Sequence, residues 1–170
     1  MTLQDLNRNG RAEFVAALGG VFEHSPWVAE QAFERRPFAD LQALHSAMSD
    51  AVRAAPLEAR LALIRAHPEL AGHEAETGAL TAESTSEQSR LGFDTLTRSE
   101  FERMAELNGR YREKFGFPCI VALKLHASRA TVIAEFERRL TNERDQEVGN
   151  AIEQIGHIAR GRLDKMLGAR

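Results

Sequence analysis

The sequence predicts an all-α protein, folded as a single compact helical bundle. Apolar residues recur three or four positions apart in most segments, as they do on the buried side of an amphipathic helix. No stretch of useful length alternates between apolar and polar residues, which is the pattern of a half-buried strand. The longest helical pattern lies near the C-terminus and has the stripe Val148, Ala151, Ile152, Ile155, Ile158, Ala159, Leu163 and Met166.

The first three helices are predicted from capping and helix-breaking residues. Asn9 is expected to cap a first helix, which the Gly19-Gly20 pair ends. The Ser25-Pro26 pair opens a second helix with proline at its first helical position, and Arg36-Pro37 ends it. Asp40 is expected to cap the third.

The second half of the chain has its own capping signals. Thr97 and Glu100 form a capping box that opens a long helix running to about Phe115. Ser128 and Asn142 are expected to cap the last two helices. The apolar face of the long helix carries one polar amide and comprises Phe101, Met104, Asn108, Tyr111 and Phe115.

The chain length and the net charge exclude several classes of function. The 170 residues suit one domain spanning residues 1–170, with a core at about 9–165. The net charge of -3 gives no electrostatic basis for binding nucleic acid or an anionic membrane. Cys119 is the only cysteine, which suits a reducing, cytoplasmic setting. No signal pattern and no apolar run long enough to span a bilayer is found.

His67 is the first candidate for chemistry. Leu57, Leu61 and Ile64 form the buried stripe of a fourth helix, and Pro68 disfavours helical geometry at His67. The imidazole is therefore expected at a helix exit, open on one side to a loop, where it can give or take a proton near neutral pH. The alternative is a histidine that caps the last carbonyl groups of the helix.

A polar segment follows at residues 72–92, and its length is typical of functional or disordered loops. Residues 81–88 are dense in hydroxyl, carboxylate and amide groups, which could converge on a polar ligand. Ser84 and Glu87 also have the spacing of a capping box, so an exposed and inert helix start is the alternative.

The segment at residues 115–123 is apolar, although Gly116 and Pro118 interrupt helical geometry. A buried loop still needs partners for its backbone N–H and C=O groups. These groups could face a ligand across a pocket wall. The alternative is a linker within the core.

These features form an ordered set of motifs that closely resembles the 2-oxo-4-hydroxy-4-carboxy-5-ureidoimidazoline (OHCU) decarboxylase family of the urate-to-allantoin pathway. The motifs are LGGVFEHSPWVAE at 18–30, RPF at 36–38, HPELAG at 67–72, SEQ at 86–88 and FGFP at 115–118. The resemblance covers nearly the whole chain, from about residue 9 to residue 163.

The resemblance implies an all-α, commonly dimeric enzyme that needs no metal or organic cofactor, releases CO2 and yields (S)-allantoin. The partner is then the small molecule OHCU, and a homodimer is expected. The resemblance also implies that His67 is catalytic. The residues that it implies contact the substrate are Pro68, Ser84, Thr85, Ser86, Glu87, Gln88, Cys119, Ile120, Val121, Ala122 and Leu123, the last five largely through their backbone.

The chemistry of decarboxylation agrees with these residue types. Loss of CO2 leaves an electron pair that preorganised hydrogen-bond donors can stabilise, and a proton must then reach one face of the carbon. His67 is a candidate for handling that proton. Glu87 could bind the ureido or hydroxyl group and hold the imidazole protonated, and Gln88 could bind the ureido amide. The sequence leaves open whether His67 or Glu87 makes the final proton transfer.

Three departures from the family pattern stand at or near these motifs. Cys119 occupies the position where a second phenylalanine is expected. Residues 90–93 (RLGF) replace a more usual Ala-Gly-Leu run, which leaves open whether Arg90 contacts the pocket or faces solvent. Residues 124–126 (KLH) lack a glycine often found there.

Two alternative functions each have their own sequence requirements. A non-catalytic helical interaction module would need an apolar surface patch and no shared polar pocket. A metal hydrolase would use His67, Glu69, His73 and Glu74. The two histidines lie six positions apart with Pro68 and Gly72 between them, so they cannot share a helix face as i and i+4 ligands do.

Overall fold

The computed structural model describes residues 1–72, 75 and 77–168. Every regular element in these residues is helical, which confirms the predicted all-α class. The α-helices are α1 (Leu3–Arg8), α2 (Arg11–Leu18), α3 (Trp27–Phe33), α4 (Leu41–Ala54), α5 (Leu57–Ala66), α6 (Ala82–Arg90), α7 (Arg98–Phe115), α8 (Arg129–Arg139) and α9 (Arg144–Leu167). A short 3₁₀ helix, Leu123–Leu125, lies between α7 and α8.

The chain forms two compact units. The first contains residues up to Ala66 together with the C-terminal segment from Gly156, and the second runs from His67 to Ile155. In the first unit α3 packs against α2 and α4. The ring of Phe14 meets Phe33 edge-on at 5.5 Å between centroids. A buried ion pair joins Arg162 Nη1 to Glu23 Oε2 at 2.8 Å.

The second unit is built around the ring of Tyr111 on α7. Its centroid lies 4.5 Å from Phe115, 6.0 Å from Phe117 and 5.7 Å from Phe136 of α8. All four rings are buried, and α7 packs against α8. Helix α6 packs against the 3₁₀ helix, so the polar segment and the apolar segment that the sequence singled out lie side by side.

Several predicted caps are confirmed. Asp40 Oδ1 accepts from the Ala43 N–H at 2.7 Å, and Ser128 Oγ accepts from the Thr131 N–H at 3.4 Å. The capping box of α7 is complete, because Thr97 Oγ1 accepts from the Glu100 N–H while the Glu100 carboxylate accepts from the Thr97 N–H. The helix ends where predicted, at Gly116, whose φ of 79° is left-handed.

Other predicted boundaries are wrong by small shifts. A short helix, α1, precedes the first predicted one, and α2 is capped by Gly10 because Asn9 ends α1. Pro26 is the N-cap of α3 and not its first helical residue. Helix α9 begins at Arg144, and the Asn142 amide binds the Glu147 carboxylate instead of capping the helix.

Two residues of the predicted apolar stripes lie at the surface. Leu57 and Met166 are both exposed. Each lies in the first or last turn of its helix, where the periodic pattern continues beyond the segment that packs. The remaining stripe of α5, Leu61 and Ile64, is buried as predicted.

Candidate functional site

His67 is the first residue after α5, as its sequence context predicted. The side chain is only 5% exposed. The prediction that one side of the imidazole is open is therefore wrong, because the side chain is enclosed. Pro68 follows it and is half-buried. A buried imidazole is shielded from bulk water, which strengthens its electrostatic interaction with any bound group.

The backbone turn after Pro68 is held by side chains from two helices. Asn108 of α7 donates from Nδ2 to the Leu70 carbonyl oxygen at 2.8 Å. Gln88 of α6 accepts the Ala71 N–H on its Oε1 at 3.0 Å. Ala71 has a φ of 50°, a left-handed conformation that costs a non-glycine residue free energy and needs surrounding support. These two amides supply that support.

An ion pair secures the outer side of the same turn. Arg112, one helical turn beyond Asn108 on α7, pairs with Glu69. The Gly72 N–H donates to the Glu69 carbonyl at 3.3 Å. The turn that begins at His67 is thus fixed by three side chains, none of them from its own segment.

The polar run at residues 84–88 lies within α6, so the loop expected over residues 72–92 is wrong for residues 82–90. The helix is capped by Thr81, whose Oγ1 accepts from the Ser84 N–H at 3.2 Å, and not by Ser84. Ser84 and Gln88 are four positions apart on the buried face, and Glu87 beside them is half-buried. Thr85 and Ser86 lie on the exposed face.

The apolar segment is buried at all of its predicted ligand positions, namely Cys119, Ile120, Val121, Ala122 and Leu123. Its backbone is bonded from several sides. Arg139 donates to the Ile120 carbonyl, and the Ala122 N–H donates to Gln154 Oε1 at 2.9 Å. Within the described part of the chain, the amide N–H groups of Ile120 and Val121 have no protein acceptor. A buried N–H group without a protein acceptor is available to a bound ligand.

Arg90, whose role the sequence left open, binds backbone. Its Nη2 donates to the carbonyl oxygens of Leu123 and His126, the latter at 3.2 Å. Arg90 therefore ties the C-terminal end of α6 to the 3₁₀ helix. The departure from the family pattern at this position coincides with a structural link between the two segments that the sequence predicts to bind the ligand.

Behind the apolar segment lies a buried ion pair. Arg139 is 1% exposed and Glu147 is fully buried, and Arg139 Nε lies 2.7 Å from Glu147 Oε1. Tyr111 also donates to Oε1, while the amides of Asn142 and Asn150 donate to Oε2 at 2.8 and 2.7 Å. Burial alone would raise the pKa of Glu147, but these hydrogen bonds and the Arg139 charge outweigh it and lower the pKa.

Across positions 1–72, 75 and 77–168, no group of three or more His, Cys, Asp or Glu side chains could hold a metal ion. His73 and Glu74, which the metal-hydrolase alternative needs, lie outside the described residues. No described helix is long and apolar enough to cross a membrane.

The family model for OHCU decarboxylase matches residues 7–164 of the chain. The chain belongs to the OHCU decarboxylase family. Membership makes it a carboxy-lyase, an enzyme class that cleaves a carbon–carbon bond and releases CO2.

Individual members of the family match this chain over almost its full length. The chain is 42% identical over 163 residues to the 2-oxo-4-hydroxy-4-carboxy-5-ureidoimidazoline decarboxylase of Haloferax volcanii, covering 96% of this chain and 94% of that protein. The protein of the same name from Mus musculus is 36% identical over 169 residues, covering 99% and 94%. A crystal structure of (S)-allantoin synthase matches with a TM-score of 0.76 and 31% identity. That match covers 98% of this chain and about half, 54%, of the other.

The buried ion pair of this OHCU decarboxylase family member was not predicted from the sequence. Arg139 and Glu147 each resemble an ordinary surface charge in the sequence. The helical spacing could have predicted that both side chains are buried. Arg139 continues the apolar stripe of Val132 and Phe136, and Glu147 precedes Ala151 of another stripe by four positions. A charged residue on a buried stripe indicates a paired charge.

Cys119 is not expected to be a nucleophile in this family member. Burial raises the pKa of its thiol to about 12, so the thiolate that a nucleophile requires is scarce at neutral pH. Cys119→Ala should keep substantial activity at a stability cost of about 1 kcal/mol, measured by turnover and urea unfolding. Ile120→Pro, which deletes a backbone N–H, should be damaging by comparison. A folded but inactive Cys119→Ala chain would contradict the view that this segment acts through its backbone.

Proposed function

We propose that the chain catalyses the cofactor-independent decarboxylation of OHCU to (S)-allantoin in urate catabolism. Family membership and the likeness to (S)-allantoin synthase support this reaction. The observation that carries the proposal is the buried His67 imidazole at the start of a turn that two helices hold. An acid–base group fixed in this way contributes to catalysis through both position and proton transfer.

The reaction breaks the bond between a ring carbon and its carboxylate. CO2 departs, and the bonding electron pair remains on the substrate until a proton is added to carbon. We assign His67 to positioning the departing carboxylate or the substrate hydroxyl and to handling that proton. Delivery from one side only would yield a single enantiomer, and a buried imidazole on a rigid turn suits such delivery.

The developing negative charge needs hydrogen-bond donors. The N–H groups of Ile120 and Val121 are the candidates, since both lie in a buried wall and neither has an acceptor among the described residues. Donors already fixed in place lose little by reorganisation when charge forms, which makes them effective in catalysis. Arg139 holds the Ile120 carbonyl, which lies between these two N–H groups in the chain, and Gln154 holds the Ala122 N–H that follows them.

The residues of α6 are assigned to the remaining substrate groups. Glu87 binds the ureido or hydroxyl group and holds the imidazole protonated. Gln88 has its Oε1 engaged by the Ala71 N–H, so its Nε2 is the part that offers a hydrogen bond to a ureido carbonyl. Ser84 shares the buried face with Gln88. Pro68, Thr85 and Ser86 remain predicted substrate contacts, as do the buried residues 119–123.

The oligomeric state and the cellular location are also part of the proposed function. We propose that the chain forms a homodimer, as the family resemblance implies. A cytoplasmic setting without binding to nucleic acid or membrane is supported by the net charge of -3 and the single buried cysteine. Size-exclusion chromatography with light scattering measures the oligomeric state directly.

The reaction itself is tested by supplying OHCU made enzymatically from urate and following optical activity as allantoin forms. The chain should accelerate formation of (S)-allantoin above the spontaneous decay, which is racemic. Omitting the chain from an otherwise identical mixture gives the background. Racemic allantoin formed at the background rate in the presence of the chain would refute the proposed function.

Metal independence is tested separately. Dialysis against a strong chelator should leave the rate unchanged, because the proposed mechanism uses only side-chain and backbone groups. A mock dialysis without chelator controls for losses during handling. If the rate fell and zinc or manganese restored it, a metal-dependent reaction would replace the one proposed.

A further inference from the structure

Asn108 has a buried amide group, and only one of its two polar atoms makes a hydrogen bond. The residue is 5% exposed and lies on the stripe of α7 between Met104 and Tyr111. Its Nδ2 donates to the Leu70 carbonyl at 2.8 Å, and a carbonyl oxygen can only accept, so the amide orientation is fixed. The other amide atom, Oδ1, is buried and has no hydrogen-bond partner among the described residues.

Asn7 of the same chain is an example of a purely structural asparagine. Asn7 uses both amide atoms on the backbone of Phe38, with Nδ2 donating to its carbonyl at 2.9 Å and Oδ1 accepting from its N–H at 2.8 Å. Asn108 makes only the first kind of bond. Buried polar atoms are almost always satisfied, and an acceptor left without a donor destabilises the folded protein unless a ligand supplies one.

The location of Asn108 indicates which ligand that is. Leu70, which Asn108 holds, lies three residues after His67, and Gln88 holds the next residue of the same turn. The carboxylate and carbonyl groups of OHCU require donors, whereas its ureido N–H groups require acceptors. The Gln88 Oε1, the amide acceptor that the sequence offered for this purpose, is already bonded to Ala71.

We propose that Asn108 is a further substrate-binding residue whose Oδ1 accepts a hydrogen bond from a ureido N–H of the substrate. Its Nδ2 simultaneously holds the turn that carries His67, so ligand recognition and placement of the imidazole share one side chain. The inference rests on the proposed function, and it adds the group that recognises the ureido end of the substrate.

The test compares two ligands, (S)-allantoin, which has a ureido group, and hydantoin, which has the ring without it. Calorimetric titrations are made on the wild type, on Asn108→Leu and on Asn7→Leu as the matched control. Asn108→Leu should weaken (S)-allantoin binding about tenfold more than it weakens hydantoin binding, because the hydrogen bond to the ureido group is lost only with the first ligand. Asn7→Leu should lower the melting temperature without changing either affinity. Asn108→Ala replaces Asn108→Leu if the latter does not fold.

The possible outcomes separate this inference from the proposed function. Equal weakening of both ligands in Asn108→Leu would mean that Asn108 acts only on the turn, and unchanged binding of both would mean that Oδ1 contacts neither. Either result overturns the inference while a wild type that forms (S)-allantoin still upholds the reaction. A wild type that yields only racemic allantoin at the background rate overturns both.

Discussion

Replacing His67 with asparagine is expected to lower kcat for OHCU by about 10²- to 10⁴-fold, the usual contribution of a positioned general acid–base group. The imidazole is 5% exposed, so bulk water has poor access to take over its role. Asparagine retains hydrogen-bonding capacity in the buried site, which favours a folded variant more than alanine does. The rate and the enantiomeric excess of allantoin are measured together, with thermal unfolding as the check on folding.

His24→Asn is the matched control for this experiment. His24 is exposed and has a φ of 47°, a left-handed conformation that asparagine tolerates well. The control removes an imidazole of the same chain without entering the proposed site, so its turnover should equal that of the wild type. A folded His67→Asn chain that turns over OHCU as fast as His24→Asn would show that His67 is not the acid–base group.

Removing one partner of the buried Arg139–Glu147 pair is expected to have the largest effect on stability. Arg139→Met leaves the Glu147 carboxylate buried without its counter-charge, and Glu147→Leu leaves the guanidinium in the same state. Each should destabilise the fold by about 3–5 kcal/mol, measured by urea unfolding at neutral pH. The double variant should be more stable than either single variant, because no unpaired charge remains buried.

An exposed ion pair provides the control for this prediction. Arg103 of α7 pairs with Glu106 and with Glu137 of α8 near the surface. Arg103→Met should change stability by no more than about 1 kcal/mol, the range of surface ion pairs. A loss in Arg139→Met as small as that in Arg103→Met would contradict the assigned role of the buried pair.

The same pair sets a pH dependence whose sign follows from the lowered pKa of Glu147. A carboxylate with a folded-state pKa below its unfolded value stabilises the fold above about pH 4.3, and the contribution is lost as the pH falls through the folded-state pKa. The wild type should therefore lose stability in acid more steeply than the Arg139→Met/Glu147→Leu double variant does.

Local sequence determined the helices and most of their ends. The caps at Asp40, Thr97 and Ser128 were predictable because each joins groups only three residues apart. The position of His67 directly after α5 was predictable for the same reason, since Pro68 acts on the residue before it. Asn142 was misassigned because its amide binds Glu147, a competing partner that a capping pattern does not include.

Motif order determined the family and the identity of the candidate site residues, but not how they are held. Only the tertiary structure brought Asn108 to Leu70, Gln88 to Ala71 and Arg90 to Leu123, across separations of 38, 17 and 33 residues. It also enclosed His67, whose imidazole the local pattern had placed open on one side to a loop. The contribution of a polar side chain to stability or binding depends on how fully it is buried and on which distant group it bonds in the folded protein. Helical periodicity encodes which face of a segment is buried, and it carries no information on the partner that a buried polar side chain will find.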